Sequence, residues 1–158
     1  MKELVGKVVT GIFVNEDESF LKFATTEGDI LYHAEGDCCS ETWFADIIFS
    51  YHGVFDSSGV SILVSEVEVL DIPEWMNGLA TKDGRCRQEY DQVYGYKLKF
   101  KRRTYYGNAD EDIVIVYRNS SNGYYGGDCE FIKDENRHYF KEQLDSATWT
   151  QITDDWRA

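Results

Sequence analysis

The stretch of sequence that decides the fold is Val93–Tyr106, VYGYKLKFKRRTYY. From Tyr94 to Phe100 its aromatic and aliphatic residues share one parity, and from Lys97 onwards basic residues take the other. Successive side chains of a β-strand point to opposite faces, so a period of two is typical of a strand with one buried face. The sequence therefore predicts a half-buried strand here, with a basic row facing solvent.

Turn-forming residues follow this strand and separate two more β-prone runs. Gly107-Asn108 leads into Ile113–Arg118, and Asn119–Gly123 leads into Tyr124–Ile132. Val, Ile and Tyr favour strands, whereas Asn and Gly favour the tight turns that join antiparallel neighbours. We therefore expect a meander of three strands in the C-terminal half.

The N-terminal half shows the same organisation. Polar clusters separate three β-prone runs, Leu4–Val14, Phe20–Thr25 and Ile30–Ala34, which predict a first antiparallel meander. Val60–Leu70 is a further β-branched run, and it ends before the chain's only proline, Pro73.

Three segments do not follow the strand pattern. Trp43–Phe49 is apolar without a clean period, which predicts a short helix or an irregular crossing segment. Residues 74–91 are polar and show no sustained period, which indicates a loop excursion. In the C-terminal segment 134–158, Asp134 can cap a helix that runs to about Leu144.

These segments together predict a mainly β protein, a β-rich α+β fold. Two antiparallel meanders would form a twisted sheet or a partly open barrel or sandwich, with a short C-terminal helix. A length of 158 residues fits a single domain over 1–158. Neither a signal-peptide pattern nor a membrane-spanning run occurs, and four cysteines without a secretory signal are typical of a reducing compartment. We expect a cytoplasmic protein, in the host cell if the gene is carried by a phage.

The charge distribution is the most unusual property of the sequence. The formal net charge is −13, and no Lys or Arg occurs between Phe23 and Thr81. Such a field repels nucleic acid and attracts basic partners, although runs of charge also serve as a solvated face. This stretch holds 11 carboxylates, those of Glu27, Asp29, Glu35, Asp37, Glu41, Asp46, Asp56, Glu66, Glu68, Asp71 and Glu74.

Cysteines provide the only candidate reaction centre. Cys38 and Cys39 are adjacent, with His33 upstream, but structural zinc usually takes spaced cysteine pairs because neighbouring side chains on an extended backbone point apart. Cys86 lies between two arginines, and Cys129 shares strand parity with an aromatic residue, as a small buried hydrophobe would. The sequence predicts no metal, no cofactor and no catalytic residues, and a thiol- or metal-dependent enzyme centred on Cys38 and Cys39 stays an alternative.

Two aromatic features suggest contact surfaces. The basic row of Val93–Tyr106 ends at Tyr105 and Tyr106, a mixture found on single-stranded nucleic-acid surfaces, but the acidic residues that follow favour cross-strand charge pairing instead. Tyr124 and Tyr125 lie on an Asn- and Gly-rich turn that begins near Asn122. That turn and the cysteine loop could line a pocket, so a protein that sequesters a small ligand such as a nucleotide is a second alternative.

Two motifs carry a resemblance to a known family. Gly36–Ser40 (GDCCS), followed by the Trp-Phe pair of Thr42–Phe44, and Asn119–Gly127 (NSSNGYYGG) resemble a family of uncharacterised small proteins of bacteriophages and bacteria. The resemblance extends from the Val5-Gly6 strand to Phe131 and implies no catalytic residues. It implies a phage or mobile-element origin, where small acidic proteins often block a host factor by surface mimicry.

The sequence as a whole favours a non-enzymatic acidic protein that blocks a basic surface of a host or defence protein, including anti-CRISPR action by nucleic-acid mimicry. It favours neither membrane association nor direct nucleic-acid binding, and exposed sheet edges leave a homodimer open. The residues expected to make contact are Glu27, Asp29, Glu35, Asp37, Glu41, Trp43, Asp46, Asn122, Tyr124 and Tyr125.

Overall fold

A computed structural model of the chain describes residues 1–37, 40–51, 54–55, 61–70, 90–121 and 126–153, and at 90, 91 and 103 it describes the backbone only. Two 3-10 segments, Lys2–Leu4 and Asp134–Phe140, and one α-helix, α1 (Lys141–Ser146), accompany the strands in these ranges. The strands are β1 (Val8–Val14), β2 (Phe20–Thr25), β3 (Gly28–Gly36), β4 (Glu41–Phe49), β5 (Ile62–Leu70), β6 (Tyr90–Thr104), β7 (Gly107–Ser121), β8 (Gly127–Phe131) and β9 (Thr150–Gln151).

The strands form one antiparallel sheet in the order β4-β7-β6-β5-β1-β2-β3-β8, and β9 pairs with β1. The mainly β class with a short C-terminal helix is confirmed. The first meander is confirmed by the β1–β2 and β2–β3 ladders. Within the described residues no ladder joins β4 to β8, so the sheet stays open, as one of the predicted arrangements has it.

The predicted second meander is wrong in its third strand. β6 and β7 form the expected hairpin of fifteen residue pairs, but β8 forms its backbone ladder with β3 and not with β7. The place beside β7 is taken by β4, which contains the segment Trp43–Phe49 predicted as a short helix or an irregular crossing.

The sequence did not predict a strand at β4 because both faces of this strand are buried. Phe44 and Ile47 join the main core, while Trp43 and Ala45 pack with two valines of β7 on the opposite face. A strand buried on both faces has no polar alternation, and the irregular pairing between Phe44 and Asp46 further disturbs the period.

Element boundaries also shift. The strand predicted over Leu4–Val14 begins only at Val8, since Lys2–Leu4 forms a 3-10 turn and Gly6 has a φ of +79°. Residues 90 and 91 of the predicted excursion already belong to β6, and the rest of it lies outside the described residues. The helix predicted from Asp134 begins as a 3-10 helix and becomes α-helical at Lys141.

Two glycines allow the sheet to curl until its end strands touch. Gly36 of β3 and Gly127 of β8 are directly paired. A Cβ at Gly127 would lie 2.8 Å from the Asn119 Cβ of β7, and one at Gly36 would lie 2.7 Å from the Ser40 hydroxyl. A side chain at Gly127 would push β8 away from β4 and β7, and one at Gly36 would push β3 away from Ser40, so the close approach requires glycine at both positions.

The C-terminal segment covers part of the outer face of the sheet. Phe20 of β2 and Leu31 of β3 point away from the main core and pack with Ile132 under Leu144 and Trp149. Among the described residues, no helix is both long and apolar enough to cross a lipid bilayer. Beyond this segment, Asp128 and Glu130 of β8 are exposed on the outer face of the sheet.

Candidate acidic surface on strands β3 and β8

The pairing of β3 with β8 collects carboxylates on one face. Alternation sends Tyr32 and Ala34 inward, while His33 and Glu35 point outward. The register places His33 opposite Glu130 and Glu35 opposite Asp128. Directly opposite residues of an antiparallel pair share a face, so one histidine and three carboxylates stand together.

His33 is held in place on three sides. Its ring stacks on Phe20 with centroids 4.5 Å apart and lies 5.1 Å from the Phe140 ring. Its Nδ1 atom is 3.0 Å from Oε1 of Glu35. The packing fixes the imidazole, which in turn fixes the orientation of the Glu35 carboxylate.

The carboxylates repel one another. The pKa of Glu130 is raised above its ordinary value, mainly by the charge of Glu35, with smaller contributions from burial and from Asp128. Like charges directly opposite each other destabilise an antiparallel pair of strands. The repulsion between these carboxylates therefore lowers the stability of the folded protein.

The turn after β3 extends the surface. Asp37 donates its backbone N–H to Gly126 O beside β8, and its carbonyl accepts the Ser40 hydroxyl at 2.7 Å. Glu41 begins β4 immediately after this turn and is exposed. We define the acidic surface as Glu35, Asp37, Glu41, Asp128 and Glu130.

A hollow borders the acidic surface on the side of the 3-10 helix. It measures about 310 Å³ and is lined mainly by apolar groups, with His33 and Glu130 on its rim. Tyr139 and Phe140 supply aromatic walls. An apolar hollow next to carboxylates matches a Lys or Arg side chain, whose aliphatic stem and cationic head need different surroundings.

The remaining predicted carboxylates lie elsewhere. Glu27 is in the turn between β2 and β3 and pairs with Lys7 at 2.6 Å. Asp29 is the second residue of β3, six residues before Glu35, which corresponds to about 20 Å along a strand. The predicted carboxylates Glu27 and Asp29 thus lie at the opposite end of β3 from Glu35, and the acidic surface takes Asp128 and Glu130 from the other half of the sequence.

Two predicted contact residues are buried. Trp43 is fully buried in the cluster with Ala45, Val114 and Val116, and Asp46 is 6% exposed. Asp46 accepts a hydrogen bond from the backbone N–H of Ile47 through Oδ1 at 2.8 Å. Both side chains therefore contribute to packing in β4 and offer no surface to a partner.

Several predicted residues lie outside the described ranges, namely Asn122, Tyr124, Tyr125, Cys38, Cys39 and Cys86. Cys129 is described, is free, and packs against the main core as predicted, and burial raises its pKa to about 12. In the ranges that the structure covers, no group of three or more His, Cys, Asp or Glu residues is arranged to hold a metal ion.

Two members of the basic row of β6, Lys99 and Lys101, form ion pairs, and the pair of Lys101 is one of those that the sequence favoured. Lys99 Nζ lies 2.9 Å from Glu68, and Lys101 Nζ lies 3.9 Å from Asp110. Their neighbour Arg102 reaches Glu111 at 3.3 Å. Each of these three cations thus has a carboxylate partner within the sheet.

Sequence reasoning placed Asp128 and Glu130 on the polar face of their strand but not in a site. The signal was present in the alternation of β8. The missing information was the partner strand, because β3 lies almost a hundred residues earlier in the chain.

The fold and the surface together define a mainly β protein with an open antiparallel sheet and a carboxylate cluster at one edge. A family described as a domain of unknown function, DUF7448, matches residues 2–131, and the chain belongs to this family. The uncharacterized protein L278 of Acanthamoeba polyphaga mimivirus is 30% identical over 122 residues, which are 75% of this chain and 82% of the relative. No solved structure matches the chain.

Proposed function

We propose that this protein is a non-enzymatic binding protein whose acidic surface engages a basic surface of a partner protein. The observation that carries the proposal is the direct opposition of Glu35 and Asp128, with Glu130 beside them, on an uncovered sheet face. A partner's cation would relieve the repulsion that these carboxylates exert on one another in the free protein.

The shape of the site supports a partner with exposed Arg or Lys. The cation of such a side chain would meet Glu35, Asp128 and Glu130, while its stem would lie against Tyr139 and Phe140 in the adjoining hollow. The net charge of −13 would steer basic partners toward the molecule over a distance of about 10 Å at moderate salt.

The viral relative gives this proposal a biological setting. A virus-encoded acidic protein gains from blocking a host factor, and basic host surfaces are often those that bind nucleic acid. We extend the proposal to mimicry of nucleic acid against a host or defence protein, including a CRISPR component, in a host cell cytoplasm.

The experiment measures binding of a fluorescent arginine-rich peptide by anisotropy at low and moderate salt. One triple variant neutralises the acidic surface, and a matched triple variant neutralises three exposed acids elsewhere, so both keep a net charge of −13 + 3 = −10. The site variant is Glu35→Gln, Asp128→Asn and Glu130→Gln, and the control is Asp110→Asn, Glu135→Gln and Glu142→Gln.

The site variant is expected to weaken peptide binding by about tenfold, since three exposed ion pairs contribute roughly 0.5 kcal/mol each. The control variant should lose much less, and salt should weaken the wild-type complex. Equal losses in the two variants would mean that the peptide senses net charge only, and the proposed site would be refuted.

A further inference from the structure

The cleft that carries this inference lies between helix α1 and the outer face of β2 and β3. The strands belong to the family match, whereas the C-terminal wall follows it. It measures about 370 Å³, within the range of small-molecule sites. The lining residues that matter here are Lys22, Leu31, Arg137, Lys141, Leu144 and Trp149.

Lys22 is the central group of this cleft. Its ammonium lies 4.3 Å from the centre of the Trp149 ring and 5.0 Å from that of Phe13. No carboxylate within the described residues forms a salt bridge with it. Phe13 and Leu31 are its cross-strand neighbours on β1 and β3, so an apolar residue would pack better at position 22. The ammonium of Lys22 can therefore donate its hydrogen bonds to a ligand in the cleft.

Two more cations face the cleft from the C-terminal segment. Arg137 is fixed by Asp134 at 3.1 Å and by the backbone carbonyl of Asp29, which its Nη2 reaches across the cleft. Lys141 pairs with Asp145 one helical turn away, at 2.6 Å. An exposed pair of this kind contributes little because solvent screens it, so an incoming anion can replace Asp145.

The walls of the cleft suit the rest of a small organic molecule. Leu31, Leu144 and the indole of Trp149 supply apolar groups to the cleft that Lys22, Arg137 and Lys141 also line. The cleft holds three cations from three elements and two carboxylates, those of Asp29 and Asp145. Arg137 and Lys141 are ion-paired, whereas Lys22 makes no ion pair within the described residues.

We propose that this cleft binds a small organic anion, with its phosphate or carboxylate group on Lys22, Arg137 and Lys141 and its apolar body against Trp149 and Leu144. The charged group would form charge-assisted hydrogen bonds, and the body would bury apolar surface. This site is separate from the acidic surface, which lies at the other end of β3. Either proposal can therefore be refuted without affecting the other.

Four probes test the proposal, with binding followed by calorimetry and by the shift of the Trp149 indole N–H in NMR spectra. Phenyl phosphate and benzoate share a ring and differ in the anionic group, which distinguishes phosphate from carboxylate. Phenol lacks the anion, and inorganic phosphate lacks the body. We expect one of the two aromatic anions to bind more tightly than both phenol and inorganic phosphate.

Lys22→Gln should weaken the binding of that anion by at least about tenfold, because a hydrogen bond to a charged group is lost. Lys101→Gln on the β6–β7 hairpin removes the same charge elsewhere and should leave binding unchanged. A thermal melt of each variant establishes that it is folded, and Lys141→Gln offers a second, more exposed change in the same cleft.

The proposal is overturned if no probe binds at millimolar concentration, or if Lys22→Gln and Lys101→Gln have equal effects. Lys22→Gln is also expected to leave binding of the arginine-rich peptide unchanged. A loss of anion binding with intact peptide binding would therefore be specific to the cleft, and the reverse result would concern the acidic surface alone.

Discussion

Replacing Glu130 by Gln is expected to stabilise the protein, although it removes a charge from an exposed position. Glu130 points outward from β8, where the charge of Glu35 raises its pKa and Asp128 adds to the effect. His33 is the other titratable group opposite it, on β3. The glutamine keeps the shape and the hydrogen-bonding capacity of the side chain and removes the repulsion.

The pH dependence of this effect has a definite sign. Because the pKa of Glu130 is higher in the folded state, its protonation stabilises the fold below the unfolded value of about 4.3. That contribution is lost as the pH rises through the folded pKa, so at neutral pH the ionised Glu130 is a cost. The variant should be more stable than the wild type at about pH 8, where Glu130 is ionised. The difference should disappear near pH 3.5, below the reference value.

The magnitude follows from the exposure of the group. A pair of like charges on a sheet costs roughly 0.2–1 kcal/mol, and solvent screening places this exposed carboxylate near the middle of that range, at about 0.5 kcal/mol. With a urea m-value of about 2 kcal/mol/M, the unfolding midpoint should rise by about 0.25 M.

Urea unfolding followed by tryptophan fluorescence measures this shift, at both pH values and at low and high salt. Glu142→Gln on α1 removes the same charge from an exposed position away from the cluster. The reasoning is refuted if Glu130→Gln stabilises no more than Glu142→Gln at about pH 8, or if its gain persists at low pH. Loss of the gain in high salt would support the electrostatic origin.

Three further predictions concern packing, the backbone and the thiol. Trp43→Ala should lower the free energy of unfolding by about 3–5 kcal/mol because the ring is fully buried, whereas Tyr105→Ser at a 95% exposed position should change it by less than about 0.5 kcal/mol; comparable urea midpoints for the two variants would contradict this. Gly107→Ala should cost at least about 1 kcal/mol, since φ is +118° while the space for a Cβ is open, and an unchanged midpoint would argue against that strain. Cys129, with its pKa raised to about 12, should resist alkylation near pH 8 until urea is added, and peptide mass mapping that finds rapid labelling of the folded protein would show the thiol to be accessible.

Much of the local structure could be predicted because it depends on local patterns. The alternation of Val93–Tyr106 predicted β6 and its inward face, and Leu98 and Phe100 are indeed buried. The Thr-x-x-Gly turns at Thr25–Gly28 and Thr104–Gly107 share their bonding, since in each the Thr hydroxyl donates to the Gly carbonyl. Turn chemistry of this kind is encoded within four residues.

The arrangement of the strands could not be predicted in the same way. β4 reads as apolar throughout because it is buried on both faces, and the order in which strands pair depends on contacts between distant segments. The glycine pair Gly36 and Gly127, which lets the sheet curl, has meaning only once β3 and β8 are neighbours.

By itself, the sequence determined the β class, the first meander, the β6–β7 hairpin, the inward and outward faces of β6 and β8 and the net negative charge, because each depends on residue type and short-range periodicity. Only the tertiary structure decided which charges share a surface. It separated Asp29 from Glu35 along one strand and brought Asp128 and Glu130 beside Glu35 from the other half of the chain. Electrostatic interactions fall off with distance in space, so the grouping of carboxylates by sequence position was a poor guide to the surface that a partner would meet.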